Sequence, residues 1–260
     1  MDLPPGLVVA AAIVLYLAGR AISWRIAGSA LSHTAWMSGP SVGAVLRHLL
    51  VPTLLEAGLW LVIITALGWR RAVGLGGGVI SAWGTIPLVT SCVLLIASVA
   101  TPSTADRGLA LLGLVLAGMF VAAFIEEIAY RGFLLHGLSL RLGGPAGIGI
   151  SSGLFAIAHL PGLLAADQQR LVPALAFLFG TGVFYARIRI ATGSIWYSTT
   201  AHMLMNVLTI LILHWGSETG FAIGVFVALK FLEGLLGIGL WIQLKLSSML
   251  SRFVESHLQK

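Results

Sequence analysis

Residues 108–137 read GLALLGLVLAGMFVAAFIEEIAYRGFLLHG, a stretch in which Glu126, Glu127 and Arg131 carry the only formal charges. Crossing a hydrocarbon core takes about 20 consecutive apolar residues of helix, so this segment spans a bilayer and carries charge inside it. The rest of the chain is built alike. Of its 260 residues 58% are hydrophobic and 9% are charged, with a mean hydropathy of +1.00. Such a composition departs from that of ordinary soluble domains and excludes disorder, while Cys92 as the single cysteine excludes a disulfide scaffold.

Working outward from 108–137, seven further stretches qualify as spans: 5–22, 45–69, 79–100, 145–165, 172–188, 194–214 and 219–243. The expectation is an all-α polytopic membrane protein of about eight transmembrane helices, a single integral membrane domain over 1–260 with a short basic tail at about 244–260. Short connections carry breakers, among them Gly39-Pro40, the run Gly74 to Gly78, Thr101-Pro102, Gly143-Gly144-Pro145 and Ala191-Thr192-Gly193. The glycine run has no following Gly-Lys-Ser/Thr and is not a phosphate loop. The first span follows Asp2 with no basic segment, and Gly19-Arg20 stands where a cleavage site would be expected. It reads as a retained span, not a signal peptide. Gly149/Gly153 and Gly220/Gly224 have the small-xxx-small spacing that lets helices approach closely.

Fifteen Lys and Arg against nine Asp and Glu give a net charge of +6. The bases stand at span ends and form no patch with interleaved aromatics, so nucleic acid is not an expected partner. With both termini in the cytoplasm, Arg70, Arg71, Arg141, Arg187, Arg189, Lys245, Arg252 and Lys260 fall inside, and Arg20, Arg25, Arg47, Arg107 and Arg170 outside, which favours that orientation by the positive-inside rule. The excess of Arg over Lys, with abundant Ala, Gly, Leu and Val, suggests a prokaryotic inner or cytoplasmic membrane. Trp24, Trp36, Trp69, Trp196, Trp215 and Trp241 fall near span boundaries, as an aromatic belt does. His33, His48, His136, His214 and His257 are read as interfacial.

An ionised side chain at mid-bilayer costs about 2.5–3.5 kcal/mol by insertion scales and therefore needs a partner, a wet cavity or a task. Residues four apart share a helix face, so Glu127 and Arg131 pair, acid first, while adjacent Glu126 points about 100° away, towards the face of Tyr130. That geometry fits Glu126 as a general base; it equally fits a structural network between helices. Span 145–165 puts Phe155 and His159 on one face, and span 194–214 does the same with His202 and Asn206. Each pair alone reads as inter-helix packing. Together, a carboxylate, two imidazoles and an amide on separate helices are the parts needed to activate water and hold an oxyanion. Glu56 in the second span reads as pairing with a base on a neighbouring helix, and Lys230 with Glu233 as an i,i+3 pair.

The order Glu126-Glu127-x-x-x-Arg131, Phe155-x-x-x-His159, then Thr192-Gly193-Ser194-Ile195-Trp196 leading into His202-x-x-x-Asn206, resembles the CPBP family, which comprises type II CAAX prenyl endopeptidases and bacteriocin-immunity (ABI) relatives. The likeness covers about 108–210. It implies an intramembrane protease with catalytic groups in a conical cavity, Glu126 activating water, His159 helping to hold it, and His202 with Asn206 stabilising the oxyanion. Glu127 and Arg131 match the supporting part of the first motif. It also implies a membrane-anchored protein or peptide substrate and metal-independent chemistry, with no cofactor. The runner-up is a zinc site on Glu126, His159 and His202, although no His-Glu-x-x-His helix is present. Two other classes stay open: an ion-coupled transporter, since Glu and His also build proton relays, and a non-proteolytic immunity or scaffold protein.

Overall fold

A computed structural model describes residues 4–27, 41–99, 108–166, 171–214 and 220–258. His33, Trp36, Arg107, Arg170, Trp215, Lys260 and the Gly39-Pro40 and Thr101-Pro102 breakers lie outside the described residues, as do the side chains of Arg20, Trp24, His214, Arg252 and His257.

Every described element is helical: α1 (Pro5–Ala27), α2 (Val42–Ala66), α3 (Ala82–Val99), α4 (Leu109–Leu142), α5 (Gly144–Ala158), α6 (Leu160–Ala166), α7 (Leu171–Thr192), α8 (Ile195–Thr209, continued as a π-helical stretch Ile210–His214) and α9 (Gly220–Leu258). Five helices are long and apolar enough to cross a membrane, namely α2, α4, α7, α8 and, over Gly224–Met249, α9. Ala82–Ile96 and α5 are shorter apolar helices. The chain is thus an integral membrane protein, with five helices of spanning length among the described residues where the sequence suggests about eight.

Boundaries shift for local reasons. The expected span 145–165 breaks at His159, which caps α5 with φ −86° and ψ −6° before Pro161 opens the separate α6. The last helix runs unbroken to Leu258, so the basic tail continues α9 instead of forming its own segment. Helix α4 runs past 137 to Leu142 and contains a π-helical stretch, Ile128–Leu134, that begins immediately after Glu127. Such bulges insert one residue into the ladder and re-aim the side chains after it.

The glycine-rich loop after α2 has a structural task. Gly74 O accepts from Ile195 N at 3.0 Å, Val79 N donates to Thr192 O at 2.9 Å, Ser194 Oγ donates to Gly76 O at 3.3 Å and Trp196 Nε1 donates to Leu75 O at 3.2 Å. The loop therefore grips the α7–α8 turn, where Gly193 takes φ +69°, a region that disfavours side chains. Ser194 then caps α8, its Oγ accepting from Trp196 N. Close helix packing falls elsewhere than the glycine spacing suggests. A Cβ on Gly180 of α7 would overlap the Gly234 carbonyl of α9, whereas one on Gly153 or Gly224 would meet nothing. Gly149 does meet a neighbour, the indole of Trp241.

The main apolar core gathers Trp60, Phe124, Ile125, Tyr130, Phe133, Phe155 and Ile195 from α2, α4, α5 and α8. It lies directly against the charged segment of α4.

Candidate active site

The two adjacent glutamates have different surroundings. Glu127 is fully buried, and its Oε1 lies 3.1 Å from Arg131 Nη1 and 3.1 Å from His202 Nδ1. The expected i,i+4 pair is therefore present, with a third member from α8. Glu126 retains 14% side-chain exposure, and its Oε2 lies 3.7 Å from His202 Nε2. His202 thus stands between the two carboxylates, one ring nitrogen towards each.

The partner on each side constrains the roles of the two ring nitrogens. An ionised carboxylate only accepts hydrogen bonds, so His202 Nδ1 carries a proton and donates it to Glu127. Nε2 then accepts in the neutral ring and donates in the imidazolium. At 3.7 Å it is close to Glu126 Oε2 but beyond direct hydrogen-bond range.

Aromatic rings hold the charged groups in place. Tyr185 of α7 stacks on His202 with centroids 4.9 Å apart and planes at 27°. Phe155 meets the His202 ring at 5.8 Å and the His159 ring at 4.7 Å, so both imidazoles flank one phenyl group. The Arg131 guanidinium lies 4.3 Å from the Phe155 centroid and donates to Gly182 O at 3.2 Å. Tyr130 packs edge-on against Phe155 at 5.4 Å and against Tyr16 of α1 at 5.2 Å. His159 Nδ1 donates to Phe155 O at 2.8 Å, which leaves Nε2 as the acceptor in the neutral ring.

Glu126, Glu127, Tyr130, Arg131, Phe155, His159 and His202 therefore form one connected group contributed by α4, α5 and α8. Asn206 follows His202 by one helical turn and is partly buried. Glu56 is buried on α2 and packs against Gly19 of α1, and Lys230 Nζ sits 3.5 Å from Glu233 Oε2 as the spacing predicts. Sequence reasoning misses Tyr185 and the Gly182 carbonyl. The one signal for Tyr185 is a hydroxylated aromatic inside a largely apolar span, which carries no hint of its partner.

Among the described residues, no three His, Cys, Asp or Glu side chains gather so as to hold a metal ion.

Fold and site together define a helical integral membrane protein with a carboxylate–imidazole cluster buried between its helices. Residues 108–208 match the model of a protease family described as type II CAAX prenyl endopeptidase Rce1-like. Over that segment, about two fifths of its length, the chain is similar to the CAAX protease-like family. Comparison with curated proteins and with solved structures yields no match.

Proposed function

We propose that this protein is a metal-independent intramembrane endopeptidase that hydrolyses a peptide bond in a membrane-anchored protein or peptide, with Glu126 as the general base. The observation that carries the reading is His202 held between a wholly buried Glu127 and a partly exposed Glu126. Only one of the two carboxylates can meet water.

Charge balance assigns the roles. Two carboxylates and one guanidinium leave a net charge of −1, which is costly in a low-dielectric setting, and one proton shared by Glu126 and His202 neutralises it. With that proton on His202, Glu126 is a carboxylate able to take a proton from water, and His202 Nε2–H is a donor beside it. The hydroxide formed attacks the scissile carbonyl carbon. His202 Nε2–H and the Asn206 side-chain amide stabilise the resulting oxyanion. Glu126 then passes its proton to the leaving nitrogen as the C–N bond breaks. His159, held through Nδ1, offers Nε2 to the water's second hydrogen. Glu127 and Arg131 touch no substrate; they position His202.

The test compares membrane proteomes of a strain carrying Glu126→Gln with its parent, then assays the accumulated precursor with purified protein. General-base removal costs about 10²–10⁴ in rate. Glu126→Gln should therefore fold and lose cleavage by that factor, and the parent enzyme should keep its rate in 1,10-phenanthroline with zinc well below stoichiometric. Full cleavage by Glu126→Gln refutes the assignment, and stoichiometric zinc whose removal abolishes activity refutes the metal-independent mechanism.

A further inference from the structure

A cavity of about 590 Å³ lies between α2, α4, the glycine-rich loop and the start of α8, apart from the site above. Its size is within the range of sites that enclose a small ligand. One wall is aromatic: Trp196 stacks with Phe124 at 5.3 Å and 12°, and with Phe120 at 6.4 Å and 3°. Leu54 and Leu61 of α2 also line it, and they are 50% and 43% exposed to the surroundings of the helix bundle. The lining also includes Arg70 and Arg71, four and five residues beyond the end of α2 and next to Trp69 in the chain. No acidic side chain pairs with either arginine among the described residues.

This combination restricts the occupant. An apolar groove open to hydrocarbon accepts a chain that never leaves the bilayer. Two unneutralised guanidinium groups in its lining match an anionic head, and the arginine fork fits phosphate oxygens in bidentate fashion. Basic pockets between transmembrane helices bind phospholipid heads by this chemistry. We propose that the groove holds one anionic phospholipid, its phosphate clasped by Arg70 and Arg71 and its acyl chain lying between Leu61 and the Phe120–Phe124–Trp196 wall.

The site would bear on the rest of the molecule. Phe124 is two residues before Glu126, and Trp196 belongs to the first turn of the helix that carries His202. An occupant thus touches both helices of the carboxylate–imidazole cluster at once. The inference does not depend on the protease reading, because binding is its readout.

Native mass spectrometry of the full chain in detergent, with phosphatidylglycerol or phosphatidylcholine added, tests it. The wild type should retain one phosphatidylglycerol, and phosphatidylcholine should bind several-fold more weakly. Removing two charge-assisted contacts in Arg70→Gln/Arg71→Gln should weaken phosphatidylglycerol binding by about tenfold or more. Leu61→Trp, which fills the groove and leaves both charges in place, should weaken it comparably. The exposed pair Arg47→Gln/Arg141→Gln should change nothing. Retention of the lipid by either groove variant, equal loss in the Arg47/Arg141 control, or equally tight binding of water-soluble glycerophosphate would each overturn the proposal.

Discussion

Substituting Arg131 by Met tests whether the buried charges are mutually dependent. Arg131 and Glu127 have side chains 1% and 0% exposed and meet at 3.1 Å. Removing Arg131 leaves the buried Glu127 with His202 Nδ1 as its one remaining polar contact, and breaking a buried pair in this way costs about 3–5 kcal/mol. Arg131→Met should therefore destabilise the protein by that amount. Adding Glu127→Gln removes the stranded charge while its amide oxygen still accepts from His202 Nδ1. What remains lost is the hydrogen bond to Gly182 O, about 1 kcal/mol because that carbonyl lies within α7, and the guanidinium contact with Phe155, about 1 kcal/mol. The double variant should thus cost about 2 kcal/mol and be more stable than Arg131→Met by a similar amount. Equilibrium unfolding in mixed dodecyl sulfate and maltoside micelles, followed by tryptophan fluorescence, measures both. A loss below about 1 kcal/mol in the single variant, or a double variant no more stable than it, would refute the claim that Glu127 and Arg131 neutralise each other.

Two further predictions follow from the packing. Gly180→Leu should separate α7 from α9 and cost about 3 kcal/mol or more in the same unfolding assay, whereas Gly153→Ala, facing open space, should be neutral or stabilising by up to about 1 kcal/mol. Tyr185→Phe keeps the ring stacked on His202 and should cleave at the parental rate. Tyr185→Leu removes a contact worth about 0.5–1.5 kcal/mol and should lower kcat up to about tenfold with KM unchanged; a loss confined to KM would place Tyr185 in substrate binding instead.

How much of this was legible in the sequence varies with the range of the interaction. The Glu127–Arg131 pair, the Phe155/His159 face and the Lys230–Glu233 pair depend on helix spacing, and each is found where spacing puts it. His202 on Glu127 is a contact across 75 residues, and neither helix spacing nor the order of motifs singles it out. Tyr185 was invisible because stacking on a residue of the next helix depends on the rotation of both helices, which the α7–α8 turn sets. Likewise, Gly180 approaches Gly234 across two helices, and a spacing rule within one helix could not single it out. The chain break at His159 has only a subtle signal: it depends on Pro161, whose ring is tolerated in the first turn of a new helix but not within a continuous one.

The glycine-rich loop links these scales. It reads as an ordinary breaker, yet its carbonyls accept from Ile195 N, Ser194 Oγ and the Trp196 indole, all at the start of α8. His202 lies two turns further along that helix, so the rotation and depth of its imidazole between two carboxylates are set from outside the motif-bearing segments. A carboxylate, an imidazole and a guanidinium can offset one another's burial only if the imidazole arrives at the right height. The 67–81 segment falls outside the matched residues 108–208, but it supplies the backbone contacts that put His202 there. In physical terms, the site begins at Gly74.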